Sequence, residues 1–138
     1  MQTFAFRLMP GTDLRPELER FAAEHELRDA FILTCVGSLS VAALRMAGRP
    51  GVVLVERDLE IVSLVGTLSP EGPHLHISVS DAEGAMTGGH LEPGSIVRTT
   101  AEVVFGDLDD LVFTRPICDV TGYDELVVTG RLGGRRVG

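Results

Sequence analysis

Residues 59–68 alternate in polarity with a period of two, and that pattern constrains the fold more than any other feature of the chain. Leu59, Ile61, Ser63, Val65 and Thr67 fall on one side, and Glu60, Val62, Leu64, Gly66 and Leu68 on the other. Successive side chains of a strand point to opposite faces, whereas a helix would scatter the same residues around its axis. The second set is nearly all apolar, so strict alternation predicts that it is buried and that the first set forms a mixed face.

Strand-like runs recur along the chain, at residues 3–8, 30–36, 39–46, 52–56, 75–80, 95–105 and 125–130. Turn chemistry separates many of them: Met9-Pro10-Gly11-Thr12, Gly37-Ser38, Ala47-Gly48-Arg49-Pro50-Gly51, Ser69-Pro70-Glu71-Gly72-Pro73 and Asp81-Ala82-Glu83-Gly84. One helix is expected at residues 13–25, with Asp13 at its N-cap, Pro16 and Glu17 in its first turn, and Leu14, Leu18, Phe21 and Ala22 at helical spacing. The connections are too short for repeated crossover helices. The expectation is an α+β fold, a mostly antiparallel β-sheet with one main helix, formed by a single domain over residues 1–138. Residues 131–138, ending in the glycine-rich 133–138, read as a weakly basic flexible tail.

Composition narrows the function classes. The formal net charge is −8, which argues against direct nucleic-acid or anionic-membrane binding, since phosphate contacts need a basic surface. No apolar run is long enough for a membrane span, and the first residues lack the pattern of a signal peptide. Cys35 and Cys118 each sit in an apolar segment and read as buried reduced thiols of a cytoplasmic protein. The chain has no lysine, which removes Schiff-base chemistry and the phosphate-loop motif. Ser38 after Gly37 reads as a bend in a strand rather than a nucleophile.

The chemistry concentrates in histidine. Three of the four histidines are His74, His76 and His90. His74 and His76 are two apart in a strand-like run, so both rings point to one face. His90 follows Gly88-Gly89, a pair that supplies a tight turn or a close backbone approach. Three imidazoles suit Zn²⁺ or another divalent transition metal, and three protein ligands leave zinc an open position. The alternative is that the rings are hydrogen-bonded strand and turn residues, or line a subunit interface. His25 lies at the helix end and reads as a solvated or dipole-facing residue. Glu60, Glu102 and Asp81 are candidates to orient the imidazoles, and exposure is the default for each. Arg45 stands in an apolar stretch, where it either holds an anionic ligand beside the metal or pairs with a carboxylate. Arg45, Glu60 and Glu102 are thus the candidate catalytic residues.

The combination Gly37-Ser38-Leu39 with Leu44-Arg45, residues 59–68, residues 74–81 and Gly88-Gly89-His90-Leu91 resembles the plant and prokaryote conserved domain family (PPC or PCC, DUF296). The resemblance runs from Phe4 to about Thr129. It implies a compact α+β subunit that assembles as a homotrimer. Plant members carry AT-hooks that bind A·T-rich DNA. Here Gly48-Arg49-Pro50 contains the hook's core but lies in a loop without flanking basic residues. Prokaryotic members keep the histidines, and their fold is distantly similar to that of acetolactate decarboxylase, which holds zinc through a His-x-His pair and a later His. The resemblance implies a metal-binding protein. Two further readings stand beside it: a DNA-associated regulator or assembly module without catalysis, and a zinc-dependent lyase or hydrolase acting on a small anionic carbonyl compound.

Overall fold

The computed structural model describes residues 1–130; the expected tail at residues 131–138 lies outside the described residues. The order of elements is β1 (Gln2–Leu8), α1 (Leu14–Glu24), β2 (Ala30–Arg45), β3 (Val52–Ser69), β4 (Gly72–Ser80), β5 (Met86–Leu91), β6 (Ile96–Asp107), β7 (Leu111–Thr114) and β8 (Val127–Gly130). This is the α+β class expected, a mainly antiparallel sheet with a single helix. β1 to β6 form one sheet in the order β1-β6-β2-β3-β4-β5, while β7 and β8 pair separately. β2 also meets β5, with Leu44 opposite Leu91 and Arg45 opposite His90. Strands β2 to β5 therefore close into a ring where β6 leaves the edge of β2.

Helix α1 seals the sheet with Leu14, Leu18 and Ala22, all buried and four residues apart. Phe21 stacks on Phe6 at 3.8 Å, and both meet Phe105 edge-on at 5.7 and 5.2 Å. Asp13 occupies the N-cap position without a side-chain cap bond. Its Oδ2 instead accepts the Gly94 N–H at 2.7 Å, tying the helix entry to the loop before β6.

Several short runs expected from the sequence fuse into long bent strands. β2 passes without interruption through Gly37-Ser38, and β3 through Arg57-Asp58. Gly37 permits a close crossing: a Cβ there would lie 2.1 Å from the Thr100 carbonyl oxygen. Ser38 is buried and shares a 2.5 Å hydrogen bond with Thr99 Oγ1, so it is a structural residue. The strict alternation expected for residues 59–68 fails at Val62. A register shift between Ile61 and Ser63 against β4 switches the faces. Leu59, Ile61, Leu64 and Leu68 are the buried set, and Val62 and Val65 are exposed. A bulge adds one residue to one strand and so reverses the inward set beyond it.

Candidate metal centre

β4 carries the first two histidines on its outer face. Leu75, Ile77 and Val79 are buried beneath, which turns His74 and His76 outward. The Asp81 turn, in which Oδ1 accepts the Glu83 and Ala85 N–H groups, reverses the chain into β5. Antiparallel pairing then sets His90 directly opposite His76. Gly88 and Gly89 lie within β5 and make no turn. A Cβ on Gly88 would sit 2.5 Å from the Ile77 carbonyl oxygen, and one on Gly89 2.7 Å from that of Arg45. Their use is close approach between strands, one of the two roles the sequence left open.

One ring nitrogen from each of His74, His76 and His90 lies within 4.8 Å of the others. His74 Nε2 and His76 Nε2 are 3.2 Å apart. Two nitrogens on a tetrahedral zinc, each at about 2.0–2.1 Å, stand roughly 3.3–3.4 Å from one another, so the spacing of this pair suits a hydrogen bond between the rings or a shared ion. The donor set fits: three neutral imidazoles are ligands for zinc and its neighbours. Burial, then the positive charge of Arg115, lowers the pKa of His74. Burial, then Arg45, lowers that of His90. Both rings therefore favour the neutral form that ligates metal.

A cleft of about 640 Å³ opens beside the cluster, with Arg45, His74, His90, Glu92, Arg115 and Glu125 in its walls. Of the two alternatives for Arg45 the structure shows the carboxylate pair, its Nε donating to Glu92 Oε1 at 3.3 Å, and the residue also lines this cleft. Glu60 and Glu102 are exposed, belong to β3 and β6, and line no part of the cleft. Glu60 faces Ser80 across β3 and β4, well along the strands from His76. Asp81 is occupied by its turn and by Arg57 at 3.2 Å. None of the three carboxylates expected to orient the imidazoles is brought to them. Alternating strands fix which face a residue takes but not which distant strand it meets. His25 stands apart from the cluster, stacked on Phe21 at 4.0 Å. The sequence reading missed Arg115 and Glu125, which enter the cleft from the segment around β7 and β8. Arg115 falls outside every strand-like run of the sequence, and the run at residues 125–130 does not say which cleft its first residue meets.

An antiparallel sheet closed by one helix, carrying three converging imidazoles beside a cleft, defines a small α+β domain able to hold a metal ion. The sequence profile of the Plants and Prokaryotes Conserved (PCC) domain matches residues 1–109, and the chain belongs to that family. It is 47% identical over 126 residues to the bifunctional protein GlmU of Synechococcus sp. (strain JA-3-3Ab), covering 91% of this chain and 20% of that protein. The chain thus spans about a fifth of the length of the curated relatives it matches. A hypothetical protein of Salmonella has the same fold with a TM-score of 0.93 and 45% identity, over 95% of each chain. A metal-containing protein of Archaeoglobus fulgidus superposes with a TM-score of 0.77 and 28% identity, over 91% of this chain and 93% of that one. No helix among the described residues is long and apolar enough to cross a membrane.

Proposed function

We propose that this PCC domain is a metal-binding protein whose His74, His76 and His90 hold one divalent transition ion, zinc by preference. The observation that carries the reading is the convergence of three ring nitrogens within 4.8 Å on one sheet face. The metal-containing relative from Archaeoglobus fulgidus supports it. Three ligands leave a fourth position, and the adjoining cleft gives that position access to a small molecule. When bound, zinc in such a set polarises a carbonyl or lowers the pKa of water to about 7.

The cleft favours a second, finer reading: a metal-dependent lyase or hydrolase acting on a small anionic carbonyl compound. In that reading Arg45 and Arg115 attract and orient the anion, and the neutral rings of His74 and His90 keep the metal in place. The DNA-associated reading has weaker support. The charge of −8 opposes a phosphate backbone, and Arg15, Arg20, Arg45, Arg57 and Arg98 are each paired with a carboxylate. We place the domain as a homotrimer in the cytoplasm, one metal per chain.

The test is elemental analysis of protein purified without a metal-affinity tag, beside His76→Ala. We expect about one zinc or similar ion per chain, lost in the variant. Absence of metal from the wild type, with none taken up on addition, sinks the reading.

A further inference from the structure

We propose that the cleft is a carboxylate-binding pocket in which Arg115 grips the anion while a second oxygen of the same small molecule faces the three histidines. This rests on the reading above that the histidines hold a metal. The ligand class is a hydroxy acid, an oxo acid or a dicarboxylate of a few carbons.

The position of Arg115 follows from strand register. Thr67 of β3 is the register partner of His74 on β4. Arg115 Nη2 donates to Thr67 Oγ1 at 2.7 Å, which anchors the guanidinium one strand away from the first histidine. Arg45 stands on the opposite flank, as the register partner of His90. The two arginines differ in what they still have to offer. Arg45 pairs with Glu92 at 3.3 Å, and Glu92 also takes Arg15 at 2.5 Å. Among the described residues Arg115 makes no ion pair, and its buried Nε has no hydrogen-bond partner. A half-buried guanidinium without a carboxylate is expensive, and an entering anion relieves that cost.

Four carboxylates share the cleft with the arginines, Glu71, Glu92, Asp124 and Glu125, and the charge of Glu125 reaches His74. Glu92 serves two arginines, the Glu71 carboxylate accepts the Arg115 main-chain N–H, and Glu125 accepts from Thr121 Oγ1 at 3.0 Å. Asp124 is exposed and also lines the cleft. A volume of about 640 Å³ lies within the usual range for small-molecule sites. A planar guanidinium also matches a carboxylate with two parallel hydrogen bonds. Arg115 and Glu125 lie beyond the residues that the family profile matches, so the anion preference is set by a segment outside the matched core.

The probe is malonate, titrated into Co²⁺-loaded protein and followed by the visible absorption of the ion, with azide as a small anion that needs only the metal. We expect malonate and azide both to perturb the wild-type spectrum. Arg115→Gln should weaken malonate at least tenfold, weaken azide by much less and retain one Co²⁺ per chain. Equal malonate affinity in wild type and variant, or a wild-type spectrum that answers azide and never malonate, overturns the proposal and leaves the metal site standing. Failure of the wild type to take up Co²⁺ overturns the metal reading instead. Calorimetric titration of malonate into that protein and into Arg115→Gln then decides the role of Arg115, and equal binding, or none to the wild type, overturns it. Should Arg115→Gln lose its native circular dichroism, wild-type affinity for malonate is compared with that for neutral malonamide, and equal binding overturns the proposal.

Discussion

The two thiols occupy opposite environments. Cys35 is buried in β2, and burial pushes its pKa up to about 12. Cys118 sits half-buried in a loop closed by Cys118 N–H to the Tyr123 carbonyl and Gly122 N–H to the Cys118 carbonyl, each at 2.8 Å. The Thr121 and Val120 N–H groups lie against its sulfur and lower its pKa. Both cysteines are free. The sequence pattern put both in the core, and Cys118 corrects it. Its apolar neighbours Ile117 and Val120 are 71% and 92% exposed, so local hydrophobicity misreported the site. The thiolate is the reactive form. Iodoacetamide at pH 8 should therefore modify Cys118 alone in the native protein, and both residues after denaturation. Peptide mass spectrometry reads the result, and native labelling of Cys35 at a comparable rate contradicts this account.

At the scale of elements, the site depends on how closely β3 and β4 approach. Gly66 has φ +136°, and a Cβ there would lie 1.9 Å from the His74 carbonyl oxygen. Gly66→Ala should cost about 1–3 kcal/mol, the range for forcing extra volume into a packed contact. It should also weaken metal uptake by shifting the strand that carries His74. Gly51, with open space around it, is the control, and Gly51→Ala should change stability by less than about 0.5 kcal/mol. Urea unfolding of both variants measures the difference, and equal midpoints remove the close-approach account. These strands also mark what the sequence made legible. Residues 74–80 gave their strand, its outward face and two of the clustered histidines, because alternation is a local signal. The bulge at Val62 was not legible, since one inserted residue leaves composition unchanged while reversing the inward set. β7 was missed because Leu111–Thr114 is short and lies beside acidic turn residues. The cleft was missed for the same reason: Arg115 and Glu125 reach His74 only through long-range packing.

At the scale of the whole molecule, the sheet leaves large apolar side chains outside. Leu33 and Val36 on β2 and Val62 and Val65 on β3 are 45–58% exposed. These are neighbouring strands, paired from Ala30 opposite Leu68 to Gly37 opposite Ile61, so the four residues share one region of the surface. A contiguous apolar patch of this kind marks an interaction surface. A closed cyclic assembly of identical chains is the simplest way to cover it without leaving a copy exposed. The family resemblance implies three chains, so we expect a mass of three chains by light scattering, and a mass of one chain for the double variant Leu33→Arg with Val62→Arg. Both positions are exposed, so the arginines leave the core intact and charge only the interface. The metal supplies an independent reading in the same sample. His74, His76 and His90 all come from one chain, so the dissociated variant should keep its ion. Dissociation with loss of metal would place part of the site on a neighbouring subunit. A wild type that already weighs one chain at working concentration rejects the trimer while leaving the three-histidine centre untouched.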